Sequence, residues 1–165
     1  MRKIIATLLA ALGLSSQASE TVIEMRQQFG PEKVFSIMAP TDWVLGSGDT
    51  FSINAPNNGA SLDIKAYKIP TRPPINEFSK ARFEGVTNMG IYIQVDTEHP
   101  LTNNTGVVRE YEGTWQGDSF VTYYVVACAN NQETYACLSL VTTKSDYKTN
   151  QAFYEKMLST FEIHS

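Results

Sequence analysis

Ser119 to Thr143 reads SFVTYYVVACANNQETYACLSLVTT, and this stretch decides the fold. Two runs rich in β-branched and aromatic residues flank a polar centre, the pattern of two long strands folded back on each other. A turn about Gln132-Glu133 sets Cys128 directly opposite Cys137. Directly opposed side chains at a non-hydrogen-bonded site bring their Cβ atoms to ~4.5–5.5 Å, and a small adjustment gives the ~3.5–4.5 Å of a disulfide. A Cys128–Cys137 bridge is therefore expected. A redox-active pair is disfavoured, because there is no C-x-x-C spacing and no helix N-terminus to lower a thiol pKa. One face of the hairpin carries Val121, Tyr123, Val125, Ala127, Leu138 and Leu140. The other carries Phe120, Tyr124, Val126, Cys128, Cys137 and Val141. A sheet wet on one side would alternate more cleanly, so both faces should be covered.

Upstream of the hairpin the chain reads as more sheet and one helix. Glu20–Met25 suggests a short first strand and Val34–Pro40 a second. Phe51–Ala55 and Ser61–Lys68 alternate as further strands around the turn Pro56-Asn57-Asn58-Gly59. Three prolines over Ile69–Pro74 interrupt the sheet. Asn76 then offers an N-cap for a helix to about Met89, with Ile75, Phe78, Ala81, Val86 and Met89 as its apolar stripe. Ile91–Val95 is a strand and Asp96–Gly106 a polar loop. Val107–Trp115 returns as a strand and turns at Gln116-Gly117-Asp118. A three-residue turn keeps Glu110 and Glu112 off the apolar face of Tyr123, Val125 and Ala127, avoiding the cost of desolvating unpaired carboxylates. Downstream, Tyr147, Asn150, Tyr154, Met157, Leu158 and Phe161 recur at helical spacing, and the helix is expected over about 150–161. The fold class is α+β: a mostly antiparallel six- to seven-stranded sheet covered by helices on both faces.

The N-terminus has the form of a secretory signal. Arg2 and Lys3 precede an apolar run from Ile4 to Leu14, and small residues favour cleavage after Ala18. The run is shorter than the ~20 residues of a membrane span. The expectation is one mature domain, 19–165, exported to the periplasm without membrane insertion. The whole chain carries 13 Lys and Arg against 17 Asp and Glu, a net charge of −4. No basic patch supports nucleic-acid binding.

The residues Phe35-Ser36-Ile37, Pro40-x-Asp42-Trp43 and Val107–Trp115, with Thr122–Val126, Thr143-Lys144-Ser145 and the Phe153–Phe161 helix, resemble the Mog1/PsbP-like fold and its small periplasmic DcrB-like members. The resemblance spans most of the mature chain through packing patterns. It implies a protein that binds other proteins or serves as an accessory subunit, with no catalytic residues and no cofactor.

Candidate chemistry is sparse. Gly117-Asp118-Ser119 superficially matches an esterase block. Its serine opens a strand, however, and His164 sits at the C-terminus without a partnering Asp-x-x-His. Asp96, Glu98 and His99 are the weak metal candidates, although adjacent loop residues seldom converge on one ion. Asn103-Asn104-Thr105 matches a glycosylation triplet, read here as coincidence in a bacterial-type chain. Trp43 and Trp115 read as core, whereas Phe83 stands off the helix stripe and is the candidate partner contact. The leading reading is a non-enzymatic periplasmic protein-binding protein. The alternatives are an inhibitor or immunity protein of a secreted toxin enzyme, and a small-ligand or metal-ion carrier.

Overall fold

The computed structural model describes residues 23–48, 50–56, 59–87, 91–101, 106–115, 121–131 and 133–164. The signal with its cleavage point, Asn103, the Gln116–Asp118 turn and Ser119 lie outside these residues. The strands are β1 (Met25–Phe29), β2 (Phe35–Pro40), β3 (Val44–Leu45), β4 (Phe51–Asn54), β5 (Ala60–Lys68), β6 (Ile91–Pro100), β7 (Gly106–Trp115), β8 (Val121–Asn131), β9 (Thr134–Thr143) and β10 (Glu162–Ile163). The helices are α1 (Ile75–Thr87) and α2 (Lys144–Leu158).

The hairpin sits inside a seven-stranded antiparallel sheet of order β3-β4-β5-β9-β8-β7-β6. Asn131 faces Thr134 across the turn, and Cys128 faces Cys137, as the sequence predicts. The early strands differ from expectation. The first strand begins at Met25 rather than Glu20, and β1 and β2 do not join the hairpin's sheet. They form a separate three-stranded sheet, β1-β2-β10, with the C-terminal strand. The tie is long-range: Thr160 Oγ1 accepts from Met38 N at 2.9 Å, and His164 N donates to Val34 O at 2.7 Å.

The β7–β8 register is the one the carboxylate argument rejects. Glu110 pairs with Val125 and Glu112 with Tyr123. A slip of one residue moves every side chain to the other face, so both glutamates share a face with Ala127. Their partners come from distant segments, described below, and the desolvation cost assumed for unpaired carboxylates does not arise.

Alternation along β9 divides the packing into two sets. Ala136, Leu138 and Leu140 enter a core with Leu62 and Ile64 of β5, Phe35 and Ile37 of β2, and Tyr147, Tyr154, Met157 and Leu158 of α2. Tyr135 and Cys137 enter a smaller cluster with Cys128 and with Phe78 of α1. Each fully buried aliphatic or aromatic side chain contributes roughly 1.5–3 kcal/mol. Helix α2 starts six residues earlier than expected. Thr143 caps it at the very end of β9, its hydroxyl accepting from Asp146 N at 3.1 Å. The helix is kinked at Asn150, where φ is −113° and ψ 20°.

Gly106 is required by close approach. A Cβ there would stand 1.7 Å from the carbonyl oxygen of Cys128. No helix among the described residues is long and apolar enough to cross a membrane.

Candidate functional site

Side chains of the first turn of α2 reach across to β7, and carboxylates meet donors along that seam. The Tyr147 hydroxyl donates to Glu110 Oε1 at 2.9 Å, and His99 Nε2 stands 3.4 Å from the same oxygen. Lys144 Nζ reaches Glu112 Oε1 at 2.5 Å, and Glu112 is almost wholly buried. Truncating one partner of such a buried pair is costly because the other charge is stranded. The seam holds a helix to a sheet, and its groups are engaged with one another.

A step along α2, Asp146, Asn150 and Tyr154 recur at intervals of four and share one side of the helix. The Asp146 carboxylate accepts from the Thr142 hydroxyl at 2.7 Å, from Asn150 Nδ2 at 2.9 Å and from the Tyr154 hydroxyl. All three donors are neutral. Burial first, and then the Asp146 carboxylate, push the Tyr154 phenol above its ordinary value. Asp146, Asn150 and Tyr154 line a cleft of about 270 Å³ together with Pro40, Asp42, Trp43 and Phe153. Trp43 is buried, as expected, while Asp42 is exposed at the mouth. Aromatic walls beside carboxylates suit a cationic group, through charge and the ring quadrupole together.

A larger cavity of about 650 Å³ opens between the small sheet and the ends of β5, β8 and β9. Its lining includes Glu32, Tyr67, Lys68, Glu133, Thr134 and His164. The backbone around it is strained. Glu32 and Lys33 have φ of 53° and 57°, and Arg72, which pairs with Glu133 at 2.6 Å, has φ of 47°. Non-glycine residues in this region cost roughly 1–3 kcal/mol each and gather at ligand clamps and switches.

Two of the predicted metal candidates, Glu98 and His99, separate. Asp96–Pro100 is not loop but the second half of edge strand β6, with Asp96 paired to Tyr111. Strand alternation then sends Glu98 and His99 to opposite faces. Glu98 pairs with Arg109 at 2.5 Å while His99 faces Glu110. The loop reading fails because the polar residues belong to an edge strand, where charged side chains are tolerated and discourage further pairing. Among the described residues no group of three or more His, Cys, Asp or Glu stands together to hold a metal ion.

Phe83, expected on the surface, is half-buried against the second cluster, with the Arg109 guanidinium 4.8 Å from its ring centre. Ala81, assigned to the stripe, is exposed instead. Cys128 and Cys137 are both buried. A hydrogen bond with Cys128, then burial, push the Cys137 thiol well up. Sequence reasoning missed Glu110 and Glu112 as partners of α2, and Asp146 as the acceptor in its first turn. The Thr143-x-x-Asp146 spacing was the available signal, since it marks a helix start.

With this geometry in place the class can be stated: the chain has a Mog1/PsbP-like fold. It is similar to cyanobacterial PsbP from Synechocystis sp. PCC 6803, at TM-score 0.61 and 13% identity over 92% of this chain and 99% of that one. It is also similar to the Ran-binding protein Mog1p of Saccharomyces cerevisiae, at TM-score 0.63 and 9% identity over 86% of this chain and 96% of that one. A Pseudomonas aeruginosa protein of unknown function, PA94, described as a putative regulator, superposes at TM-score 0.52 and 14% identity over 86% of this chain and 98% of that one. At these identities the likeness is one of fold. No protein-family model matches the chain, and no curated protein matches it by sequence.

Proposed function

We propose that this chain is an exported, non-enzymatic protein that binds another protein or serves as an accessory subunit. In this reading residues 1–18 are removed after Ala18, and 19–165 form one periplasmic domain of the DcrB-like group. Helix α2 covers one face of the seven-stranded sheet and α1 the other. The observation that carries the reading is how the polar groups are used: Glu98, Glu110, Glu112 and Asp146 are taken up in holding elements together. That one protein of this fold is Ran-binding supports its use as a protein-binding scaffold.

The surface best suited to a partner is the cleft beside Trp43, with Asp42 at its mouth. It fits a basic side chain of the partner, and the acidic net charge favours such an encounter. The test is capture from periplasmic extract with wild-type bait and with Asp42→Arg. A partner held by the first and lost by the second is the expected result. Equal capture by both would remove the cleft from the reading, and a cytoplasmic chain with an uncleaved N-terminus would remove export. An inhibitor or immunity protein is one version of this function, checked by loss of a neighbouring toxin's activity on mixing.

The second reading, a small-ligand carrier, is favoured by the cavity beside Glu32 and its left-handed backbone. Native mass spectrometry of freshly isolated protein separates the two. A stoichiometric small molecule supports the carrier.

A further inference from the structure

Cys128 and Cys137 face each other three pairs beyond the closing pair Asn131–Thr134. The closing pair of a two-residue hairpin exchanges both backbone hydrogen bonds, and the ladder alternates from there. The cysteines therefore occupy a non-hydrogen-bonded site, where Cα atoms lie ~4.5 Å apart, inside the ~4.4–6.8 Å that a disulfide spans.

The surroundings are closed. Cys128 has no exposed surface and Cys137 only 7%. Phe78 of α1 packs with them, its ring 4.6 Å from that of Tyr135 and 5.8 Å from that of Tyr67. Arg82 lies over both the Tyr67 and Phe78 rings, at 4.7 and 5.9 Å. Tyr135 is fixed in turn by donating to Pro73 O at 2.6 Å, just before α1 begins. Phe78, Ile75 and Phe83 of α1 stand among the residues that enclose the pair, so access to the sulfurs depends on α1.

We propose that Cys128 and Cys137 are an oxidation site: a cross-strand disulfide that closes before α1 docks and is then shielded from reductant by α1. The oxidant is a disulfide-bearing exchange partner. One cysteine thiolate attacks its disulfide, and the second cysteine displaces the oxidant's sulfur from the mixed disulfide. The chain loses two protons and two electrons, and the oxidant's disulfide leaves reduced to two thiols. In the docked state the reaction is blocked twice over, by access and by the poor acidity of a buried thiol. The order of events follows: hairpin, bridge, then helix.

The test uses the purified full chain, unfolded and reduced, then refolded in mixed oxidised and reduced glutathione. The expected product is lighter by two hydrogens and resists iodoacetamide in denaturant. Dithiothreitol should then open the bridge at least about tenfold more slowly in buffer than in urea, since attack awaits local opening. Phe78→Ala should speed reduction in buffer. Arg82→Gln, which removes only the outer layer, should do so more mildly and guards against a Phe78 variant that fails to fold.

Alkylation of both cysteines in the refolded chain overturns the bridge. Equal reduction rates folded and unfolded overturn the shield, as does a rate unmoved by either variant. The physiological supply of oxidant rests on the export reading. The glutathione experiment does not, so a cytoplasmic chain and a chain that cannot form the bridge give different failures.

Discussion

Tyr147, in the first turn of α2, donates a 2.9 Å hydrogen bond to Glu110 Oε1 on β7, across 37 positions of the chain. This contact explains why β7 can carry glutamates on a face that local patterning would keep apolar. Tyr147→Phe keeps the ring, stacked on Tyr154 at 5.7 Å, and deletes the donor. We expect a loss of about 1–2 kcal/mol, because bonds to charged acceptors exceed the neutral average. A urea midpoint that falls with unchanged slope is the readout. An unmoved midpoint would mean the seam is not holding α2.

Alkaline stability should report on Tyr154. Burial, and then Asp146, raise its phenol. A raised folded pKa gives stability that is complete below the unfolded value, ~10 for tyrosine, and is lost as pH rises through the folded value. The protein should therefore weaken from about pH 10 upward. Tyr154→Phe should flatten that decline, leaving the part due to Tyr67, which burial also raises. Thermal scans across about pH 9 to 11 decide it; identical slopes in the two proteins would contradict the assignment.

Gly106→Ala places a methyl against the Cys128 carbonyl, which belongs to backbone and cannot swing aside. Strands β7 and β8 must part locally, at a cost of at least ~2 kcal/mol, toward the upper range for overpacking. Chemical denaturation gives the value, and a neutral substitution would show that the two strands are not so close.

Removing the cap should shorten α2. Thr143→Ala deletes the acceptor for Asp146 N and should cost about 1 kcal/mol. Thr143→Asn, a strong capping residue, should recover most of it. Far-ultraviolet circular dichroism with thermal melts separates capping from a mere surface change.

Chelators and divalent zinc should leave the melting temperature within about 1 °C, because a ligand that does not bind the native state adds no stability. Glu98 and His99 are turned to opposite faces and engaged with Arg109 and Glu110. A zinc-dependent rise would reverse this view of β6.

The hairpin and its Cys128–Cys137 register were legible because a two-residue turn between uniform β-branched runs leaves one pairing with matched faces. Strand β5 was legible from period alone. Helix α1 was legible in its approximate extent, but not in its start or in which residues face inward, since Asn76 lies inside it, Ala81 is exposed and Phe83 half-buried. The candidate site was much less so. In the sequence Asp42 and Trp43 form only a packing motif, and Asp146, Phe153 and Tyr154 join them only when α2 docks. The cavity beside Glu32 needs the ends of two sheets, one of which exists only because residues 162–163 return to β2.

The amino-acid order by itself determined local matters: where strands alternate, where prolines and turns break them, and which two sulfurs oppose each other. These follow from neighbours within a few residues, whose sterics and periodicity act before any long-range contact. Tertiary structure alone decided the β7–β8 register, the second sheet, the reach of β6 and the clefts. In each case the deciding partner is remote: Lys144 for Glu112, Tyr147 for Glu110, Arg109 for Glu98. A carboxylate's burial is costly or tolerable according to which donor the folded chain brings to it, and no local window contains that donor.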